Sequence, residues 1–369
     1  MQITQRKMRG FTIIELMVAI TISALILGVL TQVYAGAKSS YRVSEALSRM
    51  QENGRYAMDY LARDIRLAGY TGCVSGGTTV NNMANPISGW SPLNTATSPI
   101  TLQGIEGYEA SAVTYSAISG SAVIKTDAVL IQYLSPNSAK LINPGPQNAN
   151  MQISGNPLNF QQYEILVVTD CAFADIFKAT SVSSSSGTVT IAHSNSNNTG
   201  NNTVHDYKEP AEVMRMQSNV YYIDTGAYGG PSLMRRRLGF YASSDATQYC
   251  TNATSSVTQG FCVEEIAEGV EDLQLLYGVD TNADLSADKF VAASSVAAAD
   301  WPKVVSVRVN LLVRSVETNV SPEANTTAPT SQIPLFNNDT TYTTTTLTAT
   351  PRAFRRVYTE TIVLRNRAL

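Results

Sequence analysis

The sequence predicts an α+β protein: a long N-terminal α-helix, transmembrane and then amphipathic, packed on a large antiparallel β-rich C-terminal domain. Three observations predict it. From Phe11 to Gly36 the chain is apolar with one charge, Glu15. From Val43 to Ala68 the apolar positions recur every three or four residues. Beyond Gly72 they alternate or cluster in short runs, separated by stretches rich in Ser, Thr and Asn.

The first element is the membrane segment. At about 1.5 Å per residue, some twenty residues cross the roughly 30 Å apolar layer of a bilayer. Arg6, Lys7 and Arg9 precede it and hold the N-terminus in the cytoplasm, which sends the rest of the chain outward. A mid-helix acid costs about 2.5–3.5 kcal/mol, less near the interface where Glu15 lies, and such residues mark a functional partner. A secretory signal would place small residues at a cleavage site after the apolar run. Here Gly10 stands before it, and the run is longer than an ordinary signal core.

The second element continues the helix. Val43, Leu47, Met50, Ala57, Leu61, Ile65 and Ala68, with Gly54 in the place of an eighth, form one stripe. Arg42, Glu45, Arg49, Glu52, Arg55, Asp59, Arg63, Asp64 and Arg66 cover the other faces, and Gly69 and Gly72 supply the stop signal. A continuous helix from Phe11 to Ala68 would be about 87 Å long. Gly54 costs about 1 kcal/mol relative to Ala; it marks a bend or a close approach to the sheet.

The third element is the β-rich region. Strands are expected at Ala128–Leu134, Tyr163–Thr169, Thr188–Ala192, Val213–Ile223, Val270–Tyr277, Val304–Val313 and Arg355–Leu364. In Val304–Val313 the alternation puts Val305, Val307, Val309 and Leu311 on one face and Ser306, Arg308 and Asn310 on the other. Residues 74–100, 178–208 and 319–350 read as mobile loops, of a length that is uncommon unless functional or disordered. Charged residues are 15% of the 369, which suits an extracytoplasmic domain. Loss of the first ten residues takes the formal charge from −3 to −6, so nothing favours general attraction to nucleic acid.

The junction Lys7-Met8-Arg9-Gly10-Phe11-Thr12-Ile13-Ile14-Glu15 resembles the class III signal of type IV pilins and type II secretion pseudopilins. That resemblance implies cleavage after Gly10 by a prepilin peptidase and N-methylation of Phe11. It also implies that Glu15 meets the α-amino group of a neighbouring subunit's first residue. Residues 51–73, the block from Glu164 through Phe177, Gly269–Asp280 and Tyr358–Asn366 are similar to segments of PilW-like minor pilins. The implied fold is type IV pilin-like. It has a leader at 1–10, an assembly helix at 11–36, its amphipathic continuation at 37–69 and an extracytoplasmic domain at 70–369. The implied role is a structural subunit that primes a type IV pilus at or near its tip. Its implied partners are other minor pilins, the major pilin and a tip adhesin, with roles in twitching motility and attachment. Before assembly the chain would sit in the inner membrane, and afterwards in the extracellular pilus. Two rivals remain: a type II secretion minor pseudopilin, and a surface adhesin or DNA-binding pilin using the long loops.

Four cysteines facing the periplasm are expected to be oxidised. Cys250 and Cys262 enclose eleven residues, which favours that pair and leaves Cys73 with Cys171. Asp280, Asn282, Asp284, Ser286 and Asp288 have the odd-position spacing of a calcium loop. Leu285 stands where glycine is preferred and Val291 where a bidentate Glu belongs, so a weak calcium site and a plain polar turn both fit. No other cofactor is expected: there is no C-x-x-C, and His193 and His205 are the only histidines. No nucleophile-elbow, Walker or dinucleotide motif occurs in a suitable context, so catalysis is not expected. Glu264, Glu265 and Glu268 read as a solvated helix or turn face, and Arg235, Arg236 and Arg237 as a solvated strand edge.

Overall fold

The computed structural model describes residues 11–73, 79–85, 93–94, 101–102, 104–109, 126–143, 146–148, 150–242, 250, 257–317, 320 and 353–366. The first element, α1 (Ile13–Leu67), is one helix of 55 residues, about 82 Å long. Thr12 caps it: its hydroxyl accepts from the Glu15 N–H at 3.2 Å, and Glu15 accepts the Thr12 N–H at 3.0 Å. From Phe11 to Arg42 every residue is exposed, and none of the apolar window is covered by the other described residues.

Nine short and long strands carry the chain from the helix to the first large hairpin. They are β1 (Thr79–Asn82), β2 (Leu93–Asn94), β3 (Thr101–Leu102), β4 (Ile105–Tyr108), β5 (Ala128–Lys140), β6 (Met151–Ser154), β7 (Ile165–Thr169), β8 (Phe173–Lys178) and β9 (Ser181–Ser185). Then come β10 (Thr188–Ala192), β11 (Glu212–Thr225), β12 (Pro231–Ala242), β13 (Val257–Glu268), β14 (Val270–Val279), β15 (Lys289–Val291), β16 (Val304–Arg314) and β17 (Arg355–Val363).

The largest sheet has eight strands, in the order β1-β8-β7-β11-β12-β13 with β5 and β4 attached through β11. Strand β11 organises it. Glu212–Arg215 pairs with β7 and Asn219–Thr225 with β12, while β5 runs along the opposite edge from Glu212 to Tyr221. All its pairings are antiparallel except β1 with β8. A second, antiparallel sheet has the order β15-β14-β16-β17, and a third has β6-β10-β9.

The main core lies between α1 and the sheets. Leu61 and Ile65 of the helix join Leu273, Leu275, Val307, Val309, Leu311 and Ile362 of the four-stranded sheet, and Ile131 and Tyr221 of the large sheet. Each such side chain contributes about 1.5–3 kcal/mol when fully buried. A second cluster, with Leu130, Val167, Ile176, Val220 and Met234, fills the other face of the large sheet. A third, with Ile153, Phe177, Ile191 and Val213, lies under the three-stranded sheet.

Several expectations change. Gly54 does not bend the helix: a Cβ there would lie 2.6 Å from Cζ and 2.9 Å from Cδ2 of Tyr358, so glycine serves close packing against β17. The stripe runs as predicted from Met50 onward, but Val43 and Leu47 are half-buried and Ala46 is the buried residue beside them. Asp64, assigned to the polar faces, is buried. Strand β16 is buried on both faces, Ser306 and Asn310 included, with only Arg308 and Arg314 half-exposed.

Residues 178–208 are not a solvated insertion. They hold β9 and β10 and a turn built around buried His193, Asn198 and Thr203. Serine alternation hid β9, because its exposed face carries no apolar residue. The expected loop at 74–100 contains β1 and β2, and its remainder lies outside the described residues except for 83–85. The expected loop at 319–350 lies outside them apart from Val320. The hairpin β12–β13 was not predicted, since its arginines and glutamates break the apolar alternation.

Candidate functional site

Two regions of α1 carry the chemistry: its exposed N-terminal half and the place where its C-terminal half meets the large sheet. In the first, Glu15 is the lone charge on an otherwise apolar exposed surface. Its Oε2 accepts from the N–H and the hydroxyl of Thr12, at 3.0 Å and 3.1 Å. Among the described residues Oε1 has no hydrogen bond.

In the second region a carboxylate is buried within the helix–sheet contact. The line Ala57, Leu61, Asp64, Ala68 advances by four, three and four residues and so lies on one face. That face is pressed on β5 and β11, whose inward side chains supply donors. The Tyr133 hydroxyl donates to Asp64 Oδ1 at 3.1 Å. The Tyr221 hydroxyl and the Asn219 amide each donate to Oδ2 at 2.6 Å. Arg235 Nη1 stands 3.9 Å from Oδ2, and its guanidinium lies over the Tyr60 ring, 5.1 Å from the centroid. Burial, reinforced by the Asp64 charge, pushes the Tyr221 hydroxyl well above its ordinary pKa, and Tyr133 shifts the same way. Both remain neutral donors at any physiological pH.

The charge balance extends through β12 and β13. Arg235 is ion-paired with Glu264, and Arg237 Nε donates to the same carboxylate at 2.6 Å. Burial opposes ionisation of Glu264, yet Arg235 and then Arg237 hold its carboxyl below the usual value. This corrects two expectations. The arginine run is not a solvated edge: β12 lies between β11 and β13, and the Arg235 side chain is only 14% exposed. Arg235 and Arg237 do share a face, as strand geometry requires, but that face is turned toward Glu264. The glutamates lie on a strand, not a helix or turn, and Glu265 holds the β11–β12 hairpin by accepting from Ser232 at 2.7 Å and Ala227 N–H at 2.9 Å.

The end of the helix is fastened three times. Arg66 pairs with Glu360 at 2.9 Å. The Asn366 amide lies 3.4 Å from the carbonyls of Arg66, Leu67 and Ala68, among the orphan acceptors of the last turn. Cys73 is disulfide-bonded to Cys171, which joins the turn after α1 to the β7–β8 turn. The second disulfide joins Cys250 and Cys262. Both pairs are the ones expected from the sequence.

The Asp280 loop connects β14 to β15 as a hydrogen-bonded turn. Asp280 Oδ1 accepts from the N–H groups of Asn282 and Ala283, at 3.1 Å and 2.7 Å, and Oδ2 from Leu285 N–H at 2.9 Å. Asp284 caps Ser286 N–H at 2.9 Å, and Asp288 accepts from Thr281 N–H at 2.7 Å and from the Asn282 amide at 3.1 Å. Leu285 takes φ 68° where glycine would be favoured. Among the described residues no group of three His, Cys, Asp or Glu side chains is placed to hold a metal ion. His193 packs edge-on to Phe177, and His205 stacks on Phe173 with Nε2 3.2 Å from Asp170. Gly10 lies outside the described residues.

Asp64 and its donors were missed by sequence reasoning. The available signal was position: a carboxylate three residues from Leu61 and four from Ala68 sits within the apolar stripe, not beside it.

Comparison with known families gives two matches. The profile described as Type IV Pilus-assembly protein W matches residues 220–366. The Prokaryotic N-terminal methylation motif matches residues 5–31. No curated protein and no solved structure matches the chain. The first match covers the end of β11 and all of β12 through β17, and so includes Tyr221, Arg235, Glu264 and the strand that clasps the helix.

Proposed function

We propose, from a prepilin-type N-terminus and a C-terminal region that matches the PilW family model, that this chain is a PilW-like minor pilin, a structural subunit that primes type IV pilus assembly. In this reading the chain is cut after Gly10, Phe11 is N-methylated, and the helix leaves the inner membrane for a bundle with related subunits. The observation that carries the proposal is the N-terminal half of α1. It is apolar on all sides and covered by none of the other described residues, so it is stable only in lipid or among other helices.

Glu15 supports the same reading. One carboxylate oxygen serves the helix's own start, and Oε1 remains for an outside donor. A neighbour's Phe11 amine fits it, because a buried ion pair satisfies two charges that would each be costly alone in lipid. The subunit then sits at or near the tip, with other minor pilins and a tip adhesin as partners, since its bulky domain would crowd a repeating shaft. The three contacts that fasten residues 66–73, with the donors on Asp64, suit a helix drawn from a membrane without leaving its domain.

Gene deletion with complementation tests the assignment. Loss of surface pili and twitching, restored by the wild-type chain but not by Glu15→Ala, is the expected result. Lost protein secretion with normal pili would assign the chain to a secretion pseudopilin instead, and normal pili with poor attachment would make it an adhesin. Mass spectrometry of the mature N-terminus should find N-methyl-Phe11.

A further inference from the structure

The last strand, β17, is a sheet edge that the chain leaves open. Its register with β16 runs without a shift from Arg355 to Val363. Beyond one end Leu364 N–H donates to the Val305 carbonyl at 2.9 Å, and beyond the other Ser315 N–H donates to the Phe354 carbonyl at 2.8 Å. Those two bonds fix the phase of the antiparallel ladder: even-numbered residues turn their N–H and C=O groups toward β16, and odd-numbered ones turn theirs away. Val357, Thr359, Thr361 and Val363 therefore aim a row of donors and acceptors outward, and among the described residues nothing pairs with it.

Other edges among the described residues are short or covered. Strands β1, β4, β6, β9 and β15 have three to five residues each. Strand β5 carries Pro136 beyond its pairing with β4, and Cys250 donates to the Val263 carbonyl of β13 at 3.0 Å and is disulfide-bonded to Cys262. Proteins blunt edges in such ways, or with charges and bulges, because an open row of backbone groups recruits another strand. Strand β17 has neither bulge nor proline, and its odd row from Val357 to Val363 is uncharged, β-branched and, from Thr359 onward, exposed. Its even row faces α1: Tyr358 packs on Gly54, and Glu360 pairs with Arg66. At about 100° per residue, Arg55 and Asp59 lie within about 20° of Arg66 around the helix, so they overhang the same edge. Both are exposed, and among the described residues neither has an ion-pair partner. Edge and helix flank together form a shelf, with backbone groups at its base and one cation and one anion on its wall.

We propose that this shelf receives an extended segment of a different pilus protein, which adds to the sheet as a strand beyond β17. The partner's chemistry follows from its two side-chain rows. One lies beside Val357, Thr359, Thr361 and Val363 and suits uncharged β-branched residues, whose cross-strand pairing adds to the ladder. The other faces α1 and suits an acid opposite Arg55 and a base opposite Asp59. In strand addition the backbone bonds supply affinity and the side-chain rows supply specificity. The inference rests on the pilus reading above and adds the place and the manner of contact with a partner.

Residue-resolved hydrogen exchange tests this, because strand addition protects alternate amides. In the full-length chain purified alone in detergent, the amides of Val357, Thr359, Thr361 and Val363 should exchange freely, while those of Tyr358, Glu360 and Ile362 are protected. In the same tagged chain isolated with its neighbours from cells that make pili, the odd-numbered amides should slow by about 100-fold. Thr361→Lys, which places a charge on the edge, should abolish that slowing. Arg55→Glu combined with Asp59→Lys should reduce the protected fraction by about fivefold. Neither variant should change the even-numbered amides or the thermal unfolding of the isolated chain. Odd-numbered amides that exchange as fast in the assembled as in the isolated chain overturn the proposal. So does slowing that survives Thr361→Lys or the double charge reversal. Slowing that appears in the isolated chain on concentration alone makes the occupant a second copy and overturns it too. Deletion strains are scored separately for pili. Lost pili with unprotected odd-numbered amides defeat the strand docking alone, and protected amides with normal pili in the deletion defeat the pilus reading alone.

Discussion

Removing the Asp64 carboxylate should be the most damaging single change at the helix–sheet contact. Asp64→Ala leaves two buried tyrosine hydroxyls without their acceptor, the Asn219 amide with only the Tyr133 hydroxyl at 3.4 Å, and Arg235 without a charge 3.9 Å away. Each orphaned group costs about 1–3 kcal/mol, and removing one side of a buried charged cluster costs about 3–5 kcal/mol in all. An unfolding entropy of about 2.1 cal/mol/K per residue over some 300 folded residues converts 4 kcal/mol into a Tm loss of about 6 °C. Asp64→Asn keeps the shape but turns an NH2 toward donors, so it should lose about half as much. Thermal unfolding of the full-length protein in detergent, followed by far-UV circular dichroism, reads both. A double-mutant cycle with Tyr221→Phe sharpens the test: Phe removes the orphaned hydroxyl, so the double variant should lose less than the sum. A Tm within 1–2 °C of wild type for Asp64→Ala, or strict additivity with Tyr221→Phe, would refute the argument that this carboxylate is held by its donors.

Three further outcomes are expected. Burial, with the Glu271 charge adding to it, pushes the Asp272 carboxyl up to about 6 from 3.8, so its neutral form is favoured in the folded state. Its contribution to stability is therefore full below pH 3.8 and lost as the pH rises through about 6. Asp272→Asn should stabilise by about 1–2 kcal/mol at pH 7, discounted for residual solvent contact from about 3, and change nothing at pH 3.5; the pH dependence of the denaturant midpoint reads this. Replacing Cys73 and Cys171 by Ser opens a loop of 98 residues and should cost about 4.7 kcal/mol, against about 3 kcal/mol for Cys250 and Cys262 with a separation of 12, both measured by urea unfolding. Gly54→Ala should destabilise by about 1 kcal/mol, because crowding of Tyr358 costs 1–3 kcal/mol and outweighs about 1 kcal/mol of helix propensity; in a Tyr358→Ala background the sign should reverse.

The helix was legible because its signals are local. Length and hydropathy from Phe11 to Gly36, the three-and-four spacing from Met50 onward and the Gly69 stop need no knowledge of the partner surface. Strands with apolar alternation, such as β10 and β16, were legible for the same reason. The hairpin β12–β13 was not. Its arginines and glutamates are half-buried charges, of which Arg235, Arg237 and Glu264 pair only once β12 lies beside β13. Strand β9 carries serine on its outer face and becomes a strand only by pairing with β10.

Gly54 and Asp64 mark the same boundary on the helix itself. From the sequence Gly54 is a bend or a contact, and Asp64 one more surface acid; Tyr358 and the Tyr133–Asn219–Tyr221 donor set decide otherwise. The sequence by itself determined that a lipid-length helix with one acid precedes a β-rich domain and that the chain resembles a prepilin, and it favoured the cysteine pairs that the structure holds. Tertiary structure decided which face of that helix is committed to the domain and which is left exposed. The physical reason is that periodicity reports which side chains share a face, whereas the cost of burying a charge depends on donors that arrive from residues 69 to 171 positions away.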